Sequence, residues 1–227
     1  MQQAYLVART ASRSVADRGK VSLAISAVVL AAGLSRRMGQ HSKLLLSLAG
    51  EPMIRHTVKN VLGLHPVETI VVTGHRAEEI EAAVADLPVR PVFNAEYAEG
   101  QQSSVAAGVR ALRANCDAVM VMLGDQPLIT AAHLRALVEA AAGLGPKSIA
   151  VPYHRGLRGN PVLFAARHIP AIAGGELNVG CRKLIERYPD EVARIECEED
   201  VFTRDCDTWE DYDRLNALLS ASTGVSG

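Results

Sequence analysis

From Ile25 to Ala32 the chain reads ISAVVLAA, apolar at every position but Ser26, and closes on Gly33. A half-exposed strand alternates apolar with polar residues, so a run without alternation belongs to a strand buried on both faces. The pattern recurs in ETIVVT (Glu68–Thr73) and DAVMVML (Asp117–Leu123). Val89–Phe93 reads as a short strand, and Lys147–Val151, Pro161–Phe164 and Val192–Cys197 supply later ones. Between them fall segments with helical spacing. These are Pro52–Leu62, opening with a proline allowed in a first turn, Ala77–Ala85, and Ser103 to about Arg113. Thr130–Ala142 follows, with Thr130 as its N-cap, and then Val179–Arg187 and Trp209–Leu219. Strands alternating with helices predict an α/β chain: one three-layer α/β/α, Rossmann-like domain with a mostly parallel sheet.

The 227 residues suffice for one sizeable core and are short for two. Hydrophobic content of 48% with 4% aromatic residues points to an aliphatic interior. No repeat or low-complexity linker divides the chain. The expected layout is an arm over residues 1–24, disordered or outside the true start, a domain over 25–220, and a flexible tail over 221–227. The arm carries Arg9, Arg13, Arg18 and Lys20 against Asp17, lacks the apolar core of a secretory signal, and leaves open a start near Val21. A net charge of −1 implies no bulk attraction to nucleic acid or membrane, and no apolar run reaches transmembrane length. Cys116, Cys181, Cys197 and Cys206 form no CxxC pair and have no histidine at zinc spacing. Reduced, incidental thiols in a cytoplasmic protein are expected.

The first strand runs into LAAGLSRRMGQHSK (Leu30–Lys43), and no Asp or Glu occurs from Arg18 to Gly50. Such a local positive field in a near-neutral chain suits an anion. Walker spacing fails, because five residues separate Gly33 from Gly39 and Gln40 follows; GxGxxG is absent as well. What remains is a glycine turn ringed by Arg36, Arg37 and Lys43, read either as a polyphosphate cradle or as a solvated basic turn. Ligands of such folds gather at the carboxyl ends of strands, where Gly33–Lys43, Thr73–Arg76 and Gly124–Pro127 all fall. Asp125, between Gly124 and Pro127, is placed to hold Mg²⁺ against phosphates, or merely ends a strand. Asp207, in Asp205-Cys206-Asp207, either pairs with Asp125 around metal or caps the following helix. The polar stretch Gly100–Ser104 suits a ribose, base or phosphate, although Ser103 also fits an N-cap. His75 reads as a loop histidine, and no GxSxG elbow supports a Ser/His/Asp triad.

Taken in order, LAAGLSRRMG, KLLLSLAGEPMI, IVVTGHRAEEI, VFNAEYAEGQQSSVAAGVRAL, VMLGDQP, RGNPVLF and DTWEDYDRL resemble the MobA-like nucleotidyltransferases, and most closely their molybdenum cofactor cytidylyltransferase branch. The resemblance runs from Val28 to Leu215. It implies that Leu30, Ala31, Ala32, Gly33, Ser35, Arg36 and Arg37 wrap a triphosphate, with Arg37 and Lys43 neutralising it. It implies base and ribose contacts at Thr73, Gly74, Gln102, Ser103 and Ser104, and Mg²⁺ on Asp125 and Asp207, with Asp205 as the alternative to Asp207. Arg37, Lys43 and Asp125 would be the catalytic set. Arg158, Gly159, Asn160 and Pro161 would face the second substrate. The Ala31-Ala32-Gly33 spelling looks like the cytidine-using relatives. The sequence departs from its relatives at Asn160, where His is usual, at Asn178, where Asp is usual, and at Trp209, where Pro is usual.

The implied reaction joins CMP from CTP to a molybdopterin-type cofactor with release of pyrophosphate, for a molybdenum hydroxylase recipient. Other cytidylyl or sugar-phosphate acceptors, and a non-catalytic maturation factor, remain as alternatives.

Overall fold

The computed structural model describes residues 6–7, 23–34, 42–143, 146–174 and 181–223. Its elements begin with β1 (Leu6–Val7), β2 (Ile25–Leu30), β3 (Ser47–Leu48), β4 (Glu51–Pro52), α1 (Met53–Leu62) and β5 (Glu68–Thr73). Next come α2 (Ala77–Ala83), β6 (Arg90–Phe93), α3 (Gln101–Arg110), β7 (Ala118–Leu123), α4 (Ala131–Ala142) and β8 (Ile149–His154). The last are β9 (Leu157–Arg158), β10 (Val162–Ala165), α5 (Ile169–Ala173), α6 (Cys181–Arg187), β11 (Val192–Glu196) and α7 (Trp209–Thr223).

The main sheet runs β1-β11-β8-β10-β7-β2-β5-β6, with β9 added beside β8. Neighbours are parallel except at β10, which is antiparallel to both β7 and β8, and at β9. Thus β7, β2 and β5 bring their carboxyl ends to one edge. There the loops that follow the three strands converge, the usual ligand position of such folds.

The unbroken apolar strands are explained by helices on both faces. Ala27, Val29 and Ala31 pack with Ile54, Val58 and Val61 of α1, Ile80 of α2 and Leu134 and Leu137 of α4. Val28, Leu30 and Ala32 point the other way, toward Val105 and Val109 of α3, Ile172 of α5 and Leu184 of α6. Burying each such aliphatic side chain contributes about 1.5–3 kcal/mol. On the second face α3 sits very close to the sheet: a Cβ built on Gly108 would lie 2.4 Å from Val28 Cγ1 and 2.8 Å from Val72 Cγ2. A third cluster of Leu48, Met53, Cys206 and Leu215 fastens α7 over the β3–β4 hairpin.

The predicted three-layer α/β/α architecture with a mostly parallel sheet is the one observed. Pro52 lies in β4 and precedes the first turn of α1 rather than opening it. Thr130 caps α4 as expected, its hydroxyl accepting from the His133 amide at 3.3 Å while His133 Nδ1 accepts from the Thr130 amide at 3.1 Å. Within the expected arm, Leu6–Val7 pairs in parallel with Ile195 and Glu196. The rest of the arm (1–5, 8–22), positions 179–180 of the expected Val179–Arg187 helix, Asn178, and tail residues 224–227 lie outside the described residues. No helix among the described residues is long and apolar enough to cross a membrane.

Candidate active site

A cavity of about 520 Å³ opens at the carboxyl edge of β2, β5 and β7. One wall is the end of β2 and its loop, Leu30, Ala32, Gly33 and Leu34. Among the described residues, a Cβ on Gly33 would meet nothing within 4 Å. The opposite wall is the start of α3, through Gly100, Gln101 and Ser104, with Tyr97 and Ala98 just before it. Gly100 is the N-cap at φ +118°, a conformation that glycine alone adopts easily, so the helix N-terminus faces the cavity where anions are favoured. Lys43, Leu44, Leu123, Asp125 and Asp207 complete the lining.

Asp125 is held by its neighbours on three sides. Gly124 donates its amide to the Leu30 carbonyl at 3.0 Å and accepts from the Thr57 hydroxyl at 3.0 Å. A side chain at Gly124 would meet that Leu30 oxygen at 2.9 Å, which keeps the turn to glycine. Asn60 donates to the Pro127 carbonyl at 3.1 Å, and the Cys206 amide donates to the Asp125 carbonyl at 3.2 Å. The last bond draws the Asp205–Asp207 segment against the β7 turn across 80 residues of chain.

Between the two segments lies Lys43. Its ammonium donates to Asp125 Oδ2, and to Asp207 Oδ1 at 2.8 Å. Burial alone would lower the Lys43 pKa; the charge of Asp125, then that of Asp207, outweighs it and holds Lys43 above its ordinary value. Asp125 is buried and Asp207 half-buried. Asp207 does not cap α7: Thr208 does so with Asp211, which accepts the Asp207 and Thr208 amides at 3.2 and 3.0 Å. Asp205 turns aside to accept from Gln126 Nε2 at 2.8 Å. Loss of water, then the Asp125 and Asp207 charges, push its carboxyl up to about 6. Asp205 is exposed as a residue, which makes its charged neighbours the firmer cause.

The Asp125–Asp207 pair suits a hard divalent cation, since both donors are carboxylate oxygens and positive charge already sits between them. Among the described residues no group of three or more His, Cys, Asp or Glu side chains gathers to hold a metal alone. Substrate phosphates and water would therefore complete the shell, as is usual for Mg²⁺.

Of the residues expected from sequence, Leu30, Ala32, Gly33, Lys43, Ser104, Asp125 and Asp207 share this cavity. Ser35, Arg36 and Arg37 lie outside the described residues. Ala31 faces the α1 layer. The Thr73 hydroxyl is buried and donates to Glu81 Oε1 at 2.8 Å, away from the cavity. Gly74 supports the wall from behind, a Cβ there meeting Tyr97 Cβ at 2.6 Å and Ala32 Cβ at 2.9 Å. Gln102 folds back onto the Glu99 carbonyl at 3.0 Å. Ser103 is not the N-cap of α3; its hydroxyl accepts from Asn94 at 2.9 Å and lies 2.7 Å from the Glu96 carbonyl. Arg158, Gly159, Asn160 and Pro161 do not line the cavity. Gly159 and Asn160 donate their amides to Pro152 and Phe202 instead. Leu44, Tyr97, Ala98 and Leu123 were not anticipated, whereas Leu34 falls within the stretch expected to wrap a triphosphate. The cysteines are free thiols, and burial pushes Cys181 up to about 12 and Cys197 and Cys206 to about 11, away from nucleophilic use.

The chain is similar to known proteins over most of its length. The purine catabolism protein PucB of Bacillus subtilis is 32% identical over 204 residues, 85% of this chain and 96% of that protein. The bifunctional protein GlmU of Alkalilimnicola ehrlichii is 41% identical over 131 residues, 57% of this chain but only 28% of its own length. Among solved structures, a nucleotidyl transferase from Methanothermobacter superposes with a TM-score of 0.73 at 28% identity, covering 87% of this chain and 98% of that one. The MobA-like NTP transferase domain model spans residues 27–192, from β2 to the first residue of β11 and so across both walls of the cavity, and the chain belongs to that family.

Proposed function

We infer that the protein is a Mg²⁺-dependent CTP:molybdopterin cytidylyltransferase, serving a molybdenum hydroxylase. The observation that carries the catalytic part is the Asp125–Lys43–Asp207 constellation at the mouth of a cavity walled by the β2 loop and the start of α3. The Ala31-Ala32-Gly33 spelling supports cytidine, and the likeness to a purine catabolism protein supports a hydroxylase as recipient.

The acceptor's terminal phosphate oxygen attacks the α-phosphorus of CTP; the bond to the β-phosphate oxygen breaks and pyrophosphate leaves with that electron pair. A phosphate monoester with a second pKa of about 6 is already largely dianionic at neutral pH, so the chain need supply no general base. Lys43 and Arg37 bind the triphosphate, and the start of α3 faces its negative charge. Asp125 and Asp207 would hold the Mg²⁺, which supplies neutralisation of the phosphate oxygens when bound. Leu30, Leu34, Leu44 and Leu123 give the same cavity apolar walls. The remaining contribution is positioning.

The test offers the purified protein CTP, GTP or ATP with a molybdopterin acceptor or a sugar phosphate and follows pyrophosphate. Release with CTP and the pterin alone is expected. Preference for GTP or for another acceptor redirects the substrate assignment, and silence with every triphosphate favours a delivery protein.

A further inference from the structure

Lys43 is the unusual member of the site. Lys43 lines the cavity, yet its ammonium is placed between the two carboxylates assigned to the metal. The Lys43 side chain is 16% exposed and that of Asp125 12%, so the pairing is only weakly screened by water. Removing the ammonium would take from Asp125 and Asp207 the cation that they share.

Resting on the reading of Asp125 and Asp207 as metal ligands, we propose that Lys43 is an internal cation that occupies the divalent-ion position until a nucleotide arrives. Triphosphate oxygens then draw the ammonium off the carboxylates as the divalent ion takes its place. Lys43 thereby couples the two ligands: metal binds poorly alone, and nucleotide binds best with metal.

Mn²⁺ is the probe, its binding to nucleotide-free protein read by the loss of the free-ion electron paramagnetic resonance signal. Lys43→Met is expected to bind Mn²⁺ at least about fivefold more tightly than wild type, the low end of ordinary coupling strengths. Lys43→Gln serves as a second variant, with circular dichroism checking the fold of each. A further measurement needs no mutation: saturating Mn²⁺ should raise the rate at which an amine-acylating reagent modifies Lys43 in wild-type protein, read by mass spectrometry. Unchanged Mn²⁺ affinity in folded Lys43 variants, or unchanged Lys43 acylation under saturating Mn²⁺, overturns the proposal. Asp125→Asn separates the two readings. If it loses Mn²⁺ while the lysine variants gain nothing, only the internal-cation role fails; if it binds Mn²⁺ as wild type does, the metal assignment falls and this proposal with it.

Discussion

Thr57, fully buried on α1, donates its hydroxyl to the Gly124 carbonyl at 3.0 Å. The helix layer thus reaches through the sheet edge to the turn that carries Asp125, one residue beyond. The Leu30 carbonyl and the Cys206 amide hold the same turn from the adjacent strand and from the chain's C-terminal segment.

Thr57→Val keeps the shape of the side chain and removes the donor, leaving a buried carbonyl oxygen short of a partner. A loss of about 1–3 kcal/mol in urea unfolding is expected. Pyrophosphate release should also slow, because Asp125 is less well fixed. Unchanged stability would show that the turn is held by its backbone bonds alone.

Asp125→Ala should leave the circular dichroism spectrum intact and reduce pyrophosphate release by about 100-fold or more, the size of effect seen when one preorganised charge partner is lost. Near-normal turnover in this variant would remove Asp125 from the metal site.

Sequence reading located Asp125, Lys43 and Asp207 because each interrupts or follows a strongly patterned segment with a residue of the opposite character. It missed Leu44 and Leu123, since an apolar cavity wall and an apolar core look the same in one dimension. Strand parity explains where the other expected residues fall. Leu30 and Ala32 share a face and reach the cavity side, while Ala31 between them points to α1. Likewise Val72 belongs to the α3 face, and Thr73, one residue on, turns its hydroxyl to Glu81 on α2. The antiparallel course of β10 was hidden for a different reason: the run Val162–Ala165 reads alike in both directions, and its orientation is set by pairing with Ala118–Val121. The polar stretch beginning at Gly100 was found, but the helix start was placed two residues late, at Ser103 instead of Gln101.

Gly108→Ala adds a methyl where Val28 Cγ1 would be 2.4 Å away and Val72 Cγ2 2.8 Å. Both neighbours are β-branched and stiff at χ1, so α3 must lift from the sheet, and a cost of about 1–3 kcal/mol is expected. The double variant with Val28→Ala should recover part of it, a non-additivity that a double-mutant cycle of unfolding free energies detects. Strict additivity would mean that α3 is not in contact with β2 at this point.

At the opposite end of the sheet, Ser148, His168 and Glu191 tie the start of β8 to the segments before α5 and β11. The Ser148 hydroxyl has one proton and donates it to Glu191 Oε2, so His168 donates from Nε2 to Ser148 Oγ across 2.7 Å. Ser148, then Arg167 at 2.7 Å, hold Glu191 down to about 2. Burial lowers His168 below its ordinary 6.5, the charge of Glu191 opposing and that of Arg167 assisting. Both shifts act in one direction. A neutral buried histidine contributes fully above 6.5 and loses that contribution as pH falls through its depressed folded value. An ionised Glu191 contributes fully above its unfolded value of 4.5 and loses that contribution as pH falls toward about 2. Stability should therefore decline on acidification from about pH 6.5, with Glu191 adding to the loss below 4.5. Ser148→Ala removes the largest support of the Glu191 carboxylate, the hydroxyl hydrogen bond. Its deficit against wild type in urea midpoints should be widest above pH 4.5 and narrow progressively below it. A deficit that stays constant across the acid range would mean that Ser148 contributes packing and does not set the charge of Glu191.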